Sequence, residues 1–176
     1  MRRLSIAIPV LALLVLAPAA CKRKSKSRAI LEEDDGQLVS VLNVANPRAA
    51  VQLTRGFYSI ESESWRWTAK DFAVTLRRPT GAEKNGATLE VKLTVPEAIS
   101  SRLGPITLSG QVGGIALAPE TFSKAGEFSY TREIPASALT REIVGIDFAV
   151  DKALPPGDQD VRELALVVST ISLLPK

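Results

Sequence analysis

The chain has 176 residues, with 22 Lys+Arg against 19 Asp+Glu, one cysteine and no histidine. The usual general base and the usual zinc ligand are therefore missing, and a single thiol cannot close a disulfide within the chain. Ser-x-x-Lys is absent from the body, Gly-x-Ser-x-Gly is absent too, and nothing in the spacing of Glu61 and Glu63 sets two carboxyls across a cleft as glycoside hydrolysis needs. The chain reads as a non-enzyme with no cofactor and no metal.

In chain order, Arg2 and Arg3 come first, an apolar run follows from Leu4 to Ala20, closing on Ala17-Pro18-Ala19-Ala20, and Cys21 comes next. A basic head, an apolar middle and small residues before a cut site are what a secretory signal needs. The layout resembles a bacterial lipoprotein signal. That resemblance implies removal of residues 1–20, fatty acylation of Cys21 and attachment to a membrane through the lipid. Each buried methylene adds about 0.8 kcal/mol, so several acyl chains hold almost permanently. Lys22 stands where signals for inner-membrane retention often show Asp, which favours the outer over the inner membrane of a bacterial cell envelope. A plain signal peptide cut near Cys21 and an uncleaved anchor are the competing readings. Against the anchor, the run is interrupted by Ser5 and Pro9 and falls short of the roughly 18 to 20 residues that span a bilayer comfortably.

Removing residues 1–20 takes away Arg2 and Arg3 and leaves 20 bases against 19 acids, a charge of +1. Residues 22–28 hold five of those bases and no acid, and Glu32-Glu33-Asp34-Asp35-Gly36 follows with the opposite sign. Residues 21–36 thus read as a lipidated, charged linker with few groups able to form a core, reaching on the order of 20 Å. Its bases are attracted to anionic headgroups at about 1 kcal/mol each. An exported chain meets little nucleic acid, so no nucleic-acid partner is expected.

Residues 37–176 show short β-branched or alternating runs separated by Pro, Gly, Asn and Ser. The pattern predicts one all-β domain, a two-sheet, jelly-roll-like sandwich of about nine short strands. Strands are expected at Leu38 to Val44, Ala49 to Leu53, Gly56 to Ser59, Phe72 to Arg77, Ala87 to Val95, Ile106 to Val112, Glu127 to Ile134, Ile143 to Val150 and Leu164 to Leu173. Leu89-Glu90-Val91-Lys92-Leu93-Thr94-Val95 alternates strictly, with one apolar and one wet face. The more continuously apolar runs from Ile143 and Leu164 suit central strands. Turns are expected at Arg78 to Gly81, Lys84 to Gly86 and Val112 to Gly114, and brief helical connectors at Pro96 to Leu103 and Pro135 to Leu139.

Two patches carry a second resemblance. The first is Gly56-Phe57-Tyr58-Ser59-Ile60-Glu61 followed by Trp65-Arg66-Trp67-Thr68, and the second runs from Leu154-Pro155-Pro156 through Asp160-Val161-Arg162-Glu163 to Leu164-Ala165. Together they are similar to a β-sandwich module of bacterial envelope proteins that is also appended to some glycosyltransferases. The resemblance implies a sandwich shaped like carbohydrate-binding modules and no general activity. In extended chain Trp65 and Trp67 point the same way, so the indoles either form a flat platform for sugar rings, with Arg66 or Glu61 as the polar fix, or plug the core. Arg162 either grips a carboxylate or phosphate of an envelope polymer or latches its loop to Asp158, Asp160 or a Glu of the first patch. Asp158 and Asp160 alone are thin support for calcium. Glycan recognition is the first functional expectation, and a structural or assembly partnership with another envelope protein is the second.

Overall fold

The computed structural model describes residues 38–176. The segment 1–20, Cys21 and the linker 21–36 lie outside the described residues. The strands are β1 (Val41–Asn43), β2 (Leu53–Glu61), β3 (Trp65–Arg77), β4 (Ala87–Val95), β5 (Ile106–Val112), β6 (Ile115–Phe122), β7 (Gly126–Ile134), β8 (Ile143–Val150) and β9 (Val167–Pro175). Two short helices, α1 (Ala82–Asn85) and α2 (Glu97–Leu103), connect them. Among the described residues no helix is long and apolar enough to cross a membrane.

All pairings are antiparallel, in the order β6-β5-β8-β3-β9-β4-β7, with β1 added to β9 and β2 to β3. This continuous sheet folds over into two layers because β3 changes partners along its length: Arg66 and Trp67 pair with β9, whereas Asp71 to Arg77 pair with β8. The inward residues of both layers meet in one core, with Leu89, Val91, Ile171, Leu173 and Tyr130 facing Phe72, Val74, Leu108, Ile146 and Phe148. Phe72 stacks on Phe148 with ring centroids 4.8 Å apart and meets Phe57 edge-on at 5.3 Å. Removing such a ring costs about 3–5 kcal/mol.

β2 must follow β3 around the fold, and Gly56 makes that possible. Its φ is +71°, and a Cβ there would lie 2.1 Å from the Asp71 carbonyl oxygen, so only glycine fits. Nearby, buried Gln52 takes the place of missing ladder bonds. Its side chain accepts from the Val39 N–H and donates to the Val39 and Thr75 carbonyls.

The free edges of β6 and β7 are tied by side chains. Tyr130 donates its hydroxyl to the Ala118 carbonyl; Arg132 donates to the Ala118 and Pro119 carbonyls and lies 4.1 Å from the Tyr130 ring centroid. Burial pushes the Tyr130 hydroxyl pKa up.

The structure corrects several sequence expectations. Of the strand expected at Ala49 to Leu53 only Leu53 is extended, as the start of β2: a 3-10 turn occupies Pro47–Val51, because the Asn46 side chain accepts from the Arg48 N–H and Pro47 sits at its start. β6 was not anticipated at all. β3 begins at Trp65, seven residues before the expected Phe72. β1 is only Val41–Asn43, and β9 starts at Val167, since Leu164 forms instead an isolated bridge to Leu154. Lys84 and Asn85 belong to α1, which Gly86 ends at φ +79°. β8 is central as expected but covered on one side only, with Gly145 and Asp147 exposed.

Candidate functional site

The expected site residues converge on one corner, the end of the β2–β3 hairpin. Glu61 is paired in register with Trp65, and Ile60 with Arg66. Ser62 and Glu63 turn the hairpin with positive φ, 49° and 53°. Trp65 and Trp67 share a face, as alternation requires, with ring centroids 6.2 Å apart, but their planes stand at 82°. A flat double platform is therefore absent. Both indoles are half-buried, and Trp67 packs against the core.

The arginines of this corner are committed to internal partners. Arg66 donates to the carbonyls of Val44 at 2.7 Å and Tyr58 at 2.8 Å, and burial pulls its pKa down. Arg162 donates from Nε and Nη2 to the Asp160 carboxylate and from Nη1 to Glu61 at 2.7 Å, while its guanidinium lies 5.3 Å from the Tyr58 ring centroid. These bonds hold the Asp160 carboxyl down at about 2 and raise Arg162 further above its ordinary value. Arg162 thus latches the loop 154–164 to the hairpin. Leu154 and Leu164 close the neck of that loop with two backbone bonds. With its oxygens engaged by a guanidinium, Asp160 is poorly placed to hold a cation. Among the described residues no cluster of three or more Asp, Glu, Cys or His is arranged for a metal.

Loop and α2 together wall a cleft of about 620 Å³ that Arg102, Pro155, Asp158 and Arg162 help to line. A second groove, of about 510 Å³, holds Trp65. Its floor follows from the register. Trp67 is paired with Val167, Val167 with Thr94 and Thr94 with Glu127, a row across β3, β9, β4 and β7. Paired residues share a face. Lys92 and Ser129 form the next outward pair, and Trp65 stands at the near wall beside Ser64 and Ser169. Lys92 and Glu127 are exposed, and among the described residues neither side chain has an ion-pair or hydrogen-bond partner. The groove thus offers one indole, one free ammonium, one free carboxylate and several hydroxyls. Sequence reasoning found the indole and missed the rest. The wet face of residues 88–94 was legible, but its adjacency to Trp65 depends on the strand order.

No family model and no curated protein matches the chain. Among solved structures it is similar to an acetyl xylan esterase from the rumen bacterium Butyrivibrio proteoclasticus, at 9% identity and a TM-score of 0.44 over 80% of this chain and 35% of that one. It is also similar to the CBM51-2 and INT domains of ZmpB from Clostridium perfringens, at 11% identity and a TM-score of 0.36 over 77% and 28%, respectively. A CBM4 structure matches at 10% identity and a TM-score of 0.34 over 77% of this chain and 85% of that one. The chain spans about a third of the length of the first two of these structures. By its own strand pairing and single shared core, it is an all-β, two-layer sandwich.

Proposed function

We propose that the protein is a lipoprotein of the bacterial cell envelope, anchored through lipid on Cys21, whose non-catalytic β-sandwich recognises envelope glycan in the groove beside Trp65. One observation carries the reading: a half-exposed indole borders a groove whose free Lys92 and Glu127 and hydroxyls of Thr94 and Ser129 can donate to and accept from sugar hydroxyls. An aromatic face packs against the C–H face of a pyranose while side chains at the rim fix its hydroxyls. The polar duty expected of Arg66 and Glu61 passes to residues across the sheet, because those two are engaged internally. The anchor is supported by the resemblance of residues 1–21 to a lipoprotein signal.

A glycan array followed by titration tests the recognition. Binding with quenched indole fluorescence is expected, and Trp65→Ala should weaken it about tenfold or more, the value of one well-placed aromatic contact. Unchanged fluorescence and an empty array would sink the reading. Labelled fatty acid should enter the wild type and not Cys21→Ser, and failure to label the wild type refutes the anchor.

A further inference from the structure

The opposite layer carries a second groove system on its outer face. Arg55 is paired with Ala73, Ala73 with Asp147, Asp147 with Gln111 and Gln111 with Ala116, a row across β2, β3, β8, β5 and β6. Asp71, Ala149 and Ser109 form the next row. The alternate residues Phe72, Val74, Ile146, Phe148 and Leu108 fill the core, so these rows face outward. One groove of about 360 Å³ runs past Arg55, Asp71 and Ser109, and another of about 450 Å³ past Gly113, Thr140, Arg141 and Gly145. Both are lined by Gln111 and Asp147, a cross-strand pair that stands between them, so they lie end to end as a trench along β8. From Ala149 to Ile143 it extends about 20 Å at roughly 3.4 Å per residue.

Its chemistry selects the occupant. Asp71, Gln111 and Arg141 have no side-chain partner among the described residues, whereas Arg55 and Asp147 form an exposed pair at 2.9 Å. Two acids balance two bases along the trench, leaving no net field to draw a charged polymer. β8 is paired on both sides from Ile146 to Ala149 and with β3 alone from Ile143 to Gly145, a free edge too short to seat a peptide strand, and among the described residues along the trench only Ile143 presents a large exposed apolar side chain of the kind that anchors proteins. What remains is a long row of polar side chains, with donors on Arg55 and Arg141, acceptors on Asp71 and Asp147, and both on Gln111.

We propose that this trench is a second glycan-binding surface, taking an extended, uncharged polysaccharide strand along β8. The inference rests on the reading of the protein as a glycan-binding module for the class of its ligand, but not on the Trp65 groove. With sites on both outer faces, one module can hold two strands.

Calorimetric titration of the folded domain with cellohexaose, xylohexaose, mannohexaose, their disaccharides and polygalacturonate tests it. In a Trp65→Ala background a neutral hexasaccharide should still bind, about tenfold tighter than its disaccharide as more of the trench is filled. Gly145→Trp should then abolish that binding. A Cβ at Gly145 meets open space, and tryptophan suits a strand, so the trench is blocked without a clash in the backbone. Gln111→Ala combined with Asp71→Ala should weaken binding about tenfold and covers the case in which Gly145→Trp misfolds. Hexasaccharide binding that vanishes with Trp65→Ala alone and ignores the trench variants overturns this inference and leaves the first groove standing. Binding of polygalacturonate alone overturns the uncharged class. A wild type that binds none of these sugars overturns the glycan reading and this surface with it.

Discussion

Arg132 and Arg162 do the same mechanical task with different acceptors. Each guanidinium lies against a tyrosine ring, Tyr130 or Tyr58, and each spans a place where no strand ladder runs. Arg132 closes the β6/β7 seam mainly on the backbone carbonyls of Ala118 and Pro119, with Glu120 as its ionic partner. Arg162 holds the loop 154–164 on two carboxylates, Asp160 and Glu61. A carbonyl keeps its lone pairs at any pH, whereas a carboxylate loses its charge in acid. The seam is therefore built to be insensitive to conditions, and the loop is not.

The largest expected effect is at the seam. Arg132→Ala removes two bonds across the seam, the Glu120 ion pair and the cation over the Tyr130 ring together, and should destabilise the domain by about 2 kcal/mol in urea unfolding. Arg162→Ala should cost less, about 1 kcal/mol, because it frees a surface loop and leaves the sheet edges joined, and its carboxylate partners are a third exposed. An equal cost at both sites would erase the distinction.

Acid sharpens it. The Asp160 carboxyl is held at about 2, below its ordinary 3.8, by the Arg162 hydrogen bonds, so its contribution is present above about pH 4 and is lost as pH falls toward 2. Melting curves taken from neutral pH downward should show the gap between wild type and Arg162→Ala closing across that interval. The gap for Arg132→Ala should largely persist. The smallest effect is that of salt: raising it to 1 M, where the Debye length is about 3 Å, should narrow the Arg162→Ala gap by a few tenths of a kcal/mol and the Arg132→Ala gap by less, since Glu120 is only one of its acceptors.

What could be read in advance follows the range of the forces involved. The alternation of residues 89–95 specified β4 and its two faces, because a period of two is a local property. The turn at Pro47 was hidden because Ala49 to Leu53 is apolar enough to pass for strand, and the Asn46 cap outweighs that composition. β6 was missed because Ala116, Ala118 and Pro119 dilute its pattern. Proline is tolerated there since β6 is an edge strand. The shared face of Trp65 and Trp67 was legible and the angle between their planes was not, because side-chain torsions answer to neighbours that alternation does not name. Lys92 and Glu127 reach Trp65 only through the order β3-β9-β4-β7, in which sequence neighbours are not spatial ones.

The placement of β9 constrains how the domain can be made. Its nine residues run between β4 on one flank and both β1 and β3 on the other, so the final strand of the domain is the keel to which early and middle strands alike are fastened. Until Val167–Pro175 emerges, β1 has no partner and β4 has only β7. The domain therefore cannot close until its final strand is available, and a lesion in β9 would unfasten strands from both ends of the fold at once.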